Sequence, residues 1–408
     1  MSRPRLWVAS ELYYPEETST GYFLTRIAEG LTPTFDVRVI SGRPAYSERG
    51  VAVTRDEVKG GATIHRVGAT RFDKDRLALR ILNLVTFSVG AFFYALGHIQ
   101  RGDRVLVVTN PPTLPLVLML AGKLRGAGLT LLVHDIYPDV LAATRMMDRG
   151  GLTFRALDAG AAWLLRRFGS VVVLGRDMAE LIGAKPGVAH ERIVIIPNWA
   201  DLDLIRPADR DGNALRRDLG LESKFVVQFS GNIGRTHDLA AVVSAAERLR
   251  QREDIHFLLA GYGGKLSAVG EDIRRRGLTN VTILPRQPRE RLSTMLACSD
   301  LTVIALVADM FGISVPSRMY NVMAAGVAIA AIADPRSELA RVVKENNAGW
   351  VLPEGGDGLA ALVEQLAGDP RCAVARARGE NGRSRVERTY TLERVIADYT
   401  LLLVADRR

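Results

Sequence analysis

Short apolar, β-rich runs alternate with helical segments from one end of the chain to the other, and this alternation restricts the fold most. Runs at 6–11, 35–41, 105–110, 130–135, 171–174 and 193–197 read as strands in the first half. Runs at 225–231, 256–261, 281–285, 301–306, 328–333 and 349–352 repeat the reading in the second. Strands that are apolar on both faces need cover on both faces, the condition met by a parallel sheet between helices. The pattern restarts at Phe225, beyond Pro207 and a largely polar stretch at 209–224. A chain of 408 residues also exceeds one ordinary core and suits two domains of about 200 residues each. The expected fold is therefore α/β, with two doubly wound, Rossmann-like parallel-sheet domains, 1–205 and 206–385.

Composition narrows the function. With 48% apolar and 24% charged residues and no low-complexity tract, the chain can bury a large core. Cys298 and Cys372 are too few for a disulfide framework or a zinc site, which suits a reducing compartment. The apolar run after the basic first residues ends at Glu11, too short for a secretory signal, so a cytoplasmic location is expected. A net charge of +9 points to acidic partners: nucleic acid, anionic lipid or phosphorylated small molecules. No basic and aromatic stacking platform and no DNA-binding motif is present, so nucleic acid is set aside.

In doubly wound sheets, ligands bind where strand ends meet helix N-termini. Ser230-Gly-Asn-Ile-Gly-Arg-Thr-His237 follows the first strand of the second domain. Gly231 and Gly234 let backbone approach a phosphate, and Arg235 offers charge and a fork of donors; an ordinary βα turn is the alternative. The segment has neither the GxGxxG spacing of dinucleotide enzymes nor the Gly-Lys-Ser/Thr of a P-loop. A second segment, Phe311-Gly-Ile-Ser-Val-Pro-Ser-Arg-Met-Tyr-Asn-Val-Met-Ala-Ala-Gly326, has Gly312 in a turn and Pro316 at a helix start. Free amides around Ser317 are placed to accept a diphosphate, Arg318 adds charge, and Asn321, one turn on, can bond a ribose. Met319, Val322 and Met323 read equally well as a core helix.

Val133-His-Asp-Ile-Tyr-Pro-Asp139 sets a histidine and two carboxylates at a strand end, where His134 and Asp135 can position an acceptor hydroxyl or stabilise a developing sugar cation. A structural role for His134 stays open. Asp201-Leu-Asp203 has the form of a metal-binding DxD, yet its place in the run toward the linker favours a structural role, and no metal is expected. Residues 81–97 carry no charge over 17 residues, at the lower limit of the about 17–25 that span a membrane. Arg71, Lys74, Arg76 and Arg80 precede them, and Arg101 and Arg104 follow. A span would sever the first domain. A buried core helix or a monotopic insertion with basic flanks on anionic headgroups remains, and the second reading makes 71–104 a peripheral membrane contact.

Taken together these segments resemble the family-4 retaining glycosyltransferases of GT-B fold, and are especially similar to the WbuB/WcaI-like enzymes of bacterial surface-polysaccharide synthesis. The resemblance rests on Tyr14-Pro-Glu16 with Gly21, Ser41-Gly-Arg-Pro-Ala-Tyr46, His134-Asp-Ile-Tyr-Pro138, Ile196-Pro-Asn-Trp199, Ser230-Gly-Asn-Ile-Gly-Arg235, Ala260-Gly-Tyr-Gly-Gly264, and Ser314-Val-Pro-Ser-Arg318 with Met323-Ala-Ala-Gly326. It implies retaining transfer from a nucleoside-diphosphate sugar, usually without a metal, and with no cofactor beyond that co-substrate. With the basic, apolar 71–104 region, the expectation is transfer from a UDP donor to a lipid-linked or hydrophobic acceptor at the inner membrane face. Gly231, Asn232, Gly234, Arg235 and the loop of Ser314, Val315, Pro316 and Ser317 would hold the diphosphate. Gly263 and His237 would lie on the donor side and Arg286 near the base. Gly21, His134 and Asp135 would face the acceptor and the reacting sugar, and a closing helix at about 386–408 would pack back on the first domain.

The sequence departs from the family in two places. Of two glutamates that many members carry eight residues apart, the first falls near Ile313 and the second on Asn321, so neither is a carboxylate. The usual arginine–lysine pair is replaced by Asn232 and, approximately, His237, leaving Arg235 as the expected charge. A sugar-nucleotide epimerase of the same architecture, a soluble natural-product glycosyltransferase and a silent sugar-nucleotide-binding subunit remain rival readings.

Overall fold

A computed structural model describes residues 3–44, 53–70, 72, 76–208, 210, 212–352, 355–369 and 372–405. Ala45 and Tyr46 of the Ser41 motif, and Arg71 and Lys74 of the basic flank, lie outside the described residues. The chain divides into two compact units, one of 1–139, 148–198 and 392–408, the other of 140–147 and 199–391. The divide thus falls at 198/199 rather than 205/206. The chain rejoins the first unit only at 392, not at 386.

The first unit contains β1 (Arg5–Ser10), α1 (Ser19–Leu31), β2 (Asp36–Ser41), β3 (Asp56–Lys59), β4 (Ala62–Arg66), α2 (Leu77–His98), β5 (Arg104–Val108), α3 (Leu114–Arg125) and β6 (Gly128–Leu132). After α4 (Asp139–Ala143) it continues with α5 (Leu152–Leu165), β7 (Ser170–Val173), α6 (Arg176–Gly183) and β8 (Ile193–Ile195). Its sheet order is β3-β4-β2-β1-β5-β6-β7-β8, parallel except for the β3–β4 pair. The order reverses between β1 and β5. Right-handed crossovers put α1 on one face and α2, α3, α5 and α6 on the other.

The β3–β4 hairpin is absent from the sequence reading. Asp-Glu-Val-Lys in β3 has no apolar run because the strand is an exposed edge, and charge is what an edge strand carries. Buried Arg66 at the end of β4 ties the hairpin inward. It donates to Thr54 O (2.9 Å) and to Tyr14 O (3.0 Å) and pairs with Glu57 (2.8 Å), so it also fixes the loop after β1.

Within α2, the stretch Ala78–His98 is long and apolar enough to cross a membrane by length and composition. In the fold it is a crossover helix packed beside α3 and against β2. Phe87, Ala91 and Ala95 are buried, while Ile81, Leu82, Val85, Val89 and Phe93 face solvent.

The second unit contains α7 (Ala214–Asp218), β9 (Phe225–Asn232), α8 (Leu239–Arg248), β10 (Ile255–Tyr262), α9 (Leu266–Arg276), β11 (Val281–Leu284), α10 (Leu292–Ala297) and β12 (Leu301–Ala305). It continues with α11 (Arg318–Ala324), β13 (Ala328–Ile332), α12 (Glu338–Glu345), β14 (Gly349–Leu352), α13 (Gly356–Ala367) and α14 (Ala373–Thr389). The sheet is wholly parallel in the order β11-β10-β9-β12-β13-β14. Phe229, Phe257, Val303 and Ala330 in its strands are fully buried, and each large apolar side chain so covered contributes about 1.5–3 kcal/mol. Asp300 anchors the start of β9. It accepts from Val226 N (2.7 Å) and Arg216 Nη2 (3.0 Å) and pairs with Arg210. The closing helix α15 (Leu392–Ala405) lies in the first unit and packs on α1, with Ile396 against Gly30.

Candidate active site

In the second unit the strand order reverses between β9 and β12, and the two strands pair only at Val227↔Leu301 and Gln228↔Thr302. Beyond those residues they part toward their carboxyl ends, opening the crevice expected at a topological switch point. The 233–238 loop is stitched to the far side: Val307 N donates to Thr236 O (3.1 Å), Asp238 N to Ala305 O (3.2 Å), and His237 bridges Leu306.

Arg318, the first residue of α11, sends its guanidinium into this crevice. Nη1 donates to Ser230 O (2.9 Å), Nη2 meets His237 Nε2 (2.5 Å), and Cζ lies 4.8 Å from the centre of the Phe229 ring. A guanidinium only donates, so His237 Nε2 must accept; its proton then sits on Nδ1, 3.2 Å from Thr236 Oγ1. Burial, helped by the charges of Arg318 and Lys265, lowers the His237 pKa to about 2, so the ring is neutral. Burial also lowers Arg318, to about 10, which still leaves it charged at neutral pH. The crevice thus holds a fixed cation whose contacts are a carbonyl, a neutral ring and an aromatic face.

The two arginines expected on the donor side differ in setting. Arg235 is exposed in the loop, and its carbonyl accepts from Lys265 Nζ (3.4 Å). Arg318 is the guanidinium built into the strand ends, and His237 Nε2 accepts its hydrogen bond. Gly231 touches that guanidinium, since a Cβ there would sit 3.1 Å from Arg318 Cζ. Gly263, at φ +146°, closes against the same loop: a Cβ would fall 2.5 Å from Ile233 O and 2.6 Å from Asn232 Oδ1. Asn232 and Gly263 are therefore neighbours, and Arg286 stacks over Tyr262 between them in sequence (5.4 Å).

Gly312 adopts φ +71° in the turn before α11. Val315 is buried, Ser314, Pro316 and Ser317 are half-buried, and Ser317 stands at the helix start. Asn321 lies one turn into α11, half-buried. Gly234 belongs to the stitched loop, where its carbonyl accepts from His237 N (3.4 Å).

The first unit gathers a different set at its own strand ends. Thr18 caps α1 by accepting from Gly21 N (3.3 Å), and Gly21 makes room for Glu16 O, which a Cβ would approach to 2.5 Å. Thr20 Oγ1 contacts His134 Nδ1 (3.2 Å), and Thr109 Oγ1 accepts from His134 N (3.1 Å) and Asp135 N (3.5 Å). His134 has its pKa lowered to about 4 by burial, and its Nε2 is buried without a partner among the described residues. Asp135 is half-buried beside it. The second carboxylate of the motif, Asp139, is engaged by Lys185 Nζ at 2.8 Å and belongs to the framework.

Two contributors escaped the sequence reading. Thr109 gives no local signal. Glu11, directly after β1, is half-buried with its pKa raised to about 7, desolvation outweighing the charge of Arg80, while the Glu16 charge adds to the rise. Its position at the carboxyl end of the central strand is the signal that marks it. Asp201 of the Asp-Leu-Asp segment accepts from Leu204 N (3.1 Å) and pairs with Arg289 (3.1 Å), a structural use.

Residues 20–199 match the family model of the glycosyl transferase 4-like domain, and residues 211–385 match glycosyl transferases group 1. The probable glycosyltransferase WbjE of Pseudomonas aeruginosa is 28% identical over 371 residues, 89% of each chain. The putative colanic acid biosynthesis glycosyl transferase WcaI of Escherichia coli K12 is 28% identical over 403 residues, 95% of this chain and 96% of its own. Among solved structures, HepE of Anabaena in complex with UDP-glucose superposes with a TM-score of 0.75 at 14% identity, over 99% of this chain and 100% of its own.

Proposed function

The chain belongs to the glycosyltransferases, joining a glycosyl transferase 4-like domain to a group 1 domain in the GT-B fold, and from this we propose that it carries out a retaining sugar transfer. The donor is a nucleoside-diphosphate hexose or N-acetylated sugar, UDP-linked, and the acceptor is lipid-linked or hydrophobic, in the synthesis of a cell-surface polysaccharide. The name of WcaI, a putative colanic acid biosynthesis glycosyl transferase, supports the pathway class, and the UDP-glucose bound to HepE supports the nucleotide. The observation that carries the reading is Arg318, a charged guanidinium held at the switch-point crevice with a neutral partner. Unneutralised and partly desolvated, it is suited to the diphosphate, where most charge develops as the sugar leaves.

In this reading the bond from the anomeric carbon to the diphosphate oxygen breaks and the bond to the acceptor oxygen forms on the same face. The acceptor proton passes to a phosphate oxygen. Arg318, exposed Arg235 and the backbone around Ser314 and Ser317 receive the diphosphate; Arg286 and Asn321 serve the nucleoside. His134 and Asp135 orient the acceptor hydroxyl. Neither a metal nor a cofactor beyond the donor takes part. The protein works at the inner membrane face, with 71–104 as peripheral contact to anionic lipid.

The test is calorimetry of the purified protein against UDP-, GDP-, dTDP- and ADP-sugars, with nucleoside diphosphate release followed in parallel. A UDP-sugar should bind and slowly release UDP. Folded protein that binds none of them would overturn the reading.

A further inference from the structure

A cavity of 310 Å³ opens along α5 in the first unit, and neither His134 nor Glu11 lines it. Arg149, Arg155 and Arg166 line it together with Asp158, Ala159 and Ala162. Arg155, Ala159, Ala162 and Arg166 recur at spacings of four and three and so share one stripe of the helix. The acids nearby are already committed. Buried Lys185 holds Asp158 (2.5 Å) and Asp139 (2.8 Å), and Asp139 also lies 3.8 Å from Arg149. Three arginines against this shared acid pair leave the cavity net positive.

The neighbouring stripe of α5 is apolar and exposed. Leu152 is 81% and Trp163 38% accessible, with Ala156 between them. Arg167 stacks on Trp163 at 4.8 Å, an aromatic and cationic pairing suited to the boundary between headgroups and acyl chains. On the same face of the sheet α2 and α3 expose Phe93 and Leu124. A cationic cavity bordered by exposed apolar side chains matches an anion that carries acyl chains better than a freely soluble one.

We propose that the α5 cavity is a binding site for the phosphate headgroup of an anionic membrane lipid, seated between Arg155 and Arg166 while Leu152 and Trp163 enter the acyl boundary. The site extends the membrane-face part of the proposed function beyond 71–104, and it is measured apart from donor binding.

The experiment is flotation of the full chain with phosphatidylcholine vesicles and with vesicles containing phosphatidylglycerol, comparing wild type, R155E/R166E, R155K/R166K and W163F. Wild type should bind anionic vesicles, weaken as salt rises, and show a blue shift of Trp163 emission that W163F lacks. R155E/R166E should lose at least tenfold in vesicle affinity with UDP-sugar binding unchanged; R155K/R166K should retain most of it. Equal vesicle binding by R155E/R166E and wild type would overturn the site. Tight binding of glycerol 3-phosphate or inorganic phosphate, abolished in R155E/R166E without any vesicle effect, would overturn the lipid assignment in favour of a soluble phosphate. Loss of donor binding in wild type would count against the transferase reading alone.

Discussion

The two units share a doubly wound parallel core, to which the first adds a hairpin and a further strand, and they differ in what they show to solvent. In the second, outer helix faces are polar and laced with ion pairs such as Arg276 with Glu247 and Asp272. Among the described residues, nearly all large apolar side chains that are exposed belong to the first unit, on α2, α3 and α5 above all. The strand ends differ as well. The second unit offers glycines and a fixed cation, the first a neutral histidine and a carboxyl group that burial holds protonated near neutrality. A doubly wound sheet fixes where a site lies; the side chains at its strand ends fix which charge the site welcomes.

The largest test of this contrast is Arg318→Ala. It should lower turnover by about 10²–10³-fold, the usual loss for one preorganised charge-stabilising donor. Arg235→Ala, from an exposed loop position, should cost about tenfold or less; steady-state rates with a UDP-sugar compare the two directly. If Arg235→Ala proved the more damaging, the charge would belong to the loop and not to the crevice.

Gly263→Val comes next. The positive φ and the 2.5 Å approach to Ile233 O leave no place for a side chain, so the β10–α9 turn must shift. A loss of about 2–3 kcal/mol in the denaturant midpoint and a raised donor KM are expected. An unchanged KM would detach this turn from donor binding.

Acid should separate the units. His237 and His256 in the second unit have pKa values lowered to about 2 and about 4, so below pH 6.5 only the unfolded chain takes up their protons. Stability there falls by roughly 1.4 kcal/mol per pH unit for each histidine. In the first unit His134, lowered to about 4, acts in the same direction. Glu11, raised to about 7, acts in the opposite one, because the folded state keeps its proton down to the ordinary carboxylate range and gains stability as pH falls from 7. Hydrogen exchange between pH 7 and 5 should show the second unit loosening first. Glu11→Gln should remove the first unit's protection, and equal loosening of both units in wild type would contradict the balance.

The smallest effect on stability is expected from Phe93→Ser on α2, where the ring is 65% exposed: within about 0.5 kcal/mol by thermal melting, but with reduced recovery in the membrane fraction. A large fall in melting temperature would mean that the exposed face of α2 is structural.

Much of the architecture was legible because it rests on local necessity. Every apolar run read as a strand became one, and most are covered on both faces, the edge strand β8 with its exposed Ile195 being less so. The β3–β4 hairpin was not, because a charged edge strand lacks that pattern. At the site, the loops after β9 and before α11 were legible from glycine, proline and their place after strands. The partner of each side chain was not.

What the sequence determined alone is the pair of doubly wound sheets, the strand ends that form the candidate sites, and the apolar, basic-flanked stretch before β5. The tertiary structure decided that Arg318 meets Ser230 across 88 residues of chain, that His237 is a neutral acceptor, and that Asp139 serves Lys185 while Glu11 Oε2 is buried without a hydrogen-bond partner among the described residues. Strand formation depends on patterns a few residues long. A guanidinium's partner and a carboxyl's pKa depend on which distant groups share its low-dielectric surroundings, and only packing supplies those.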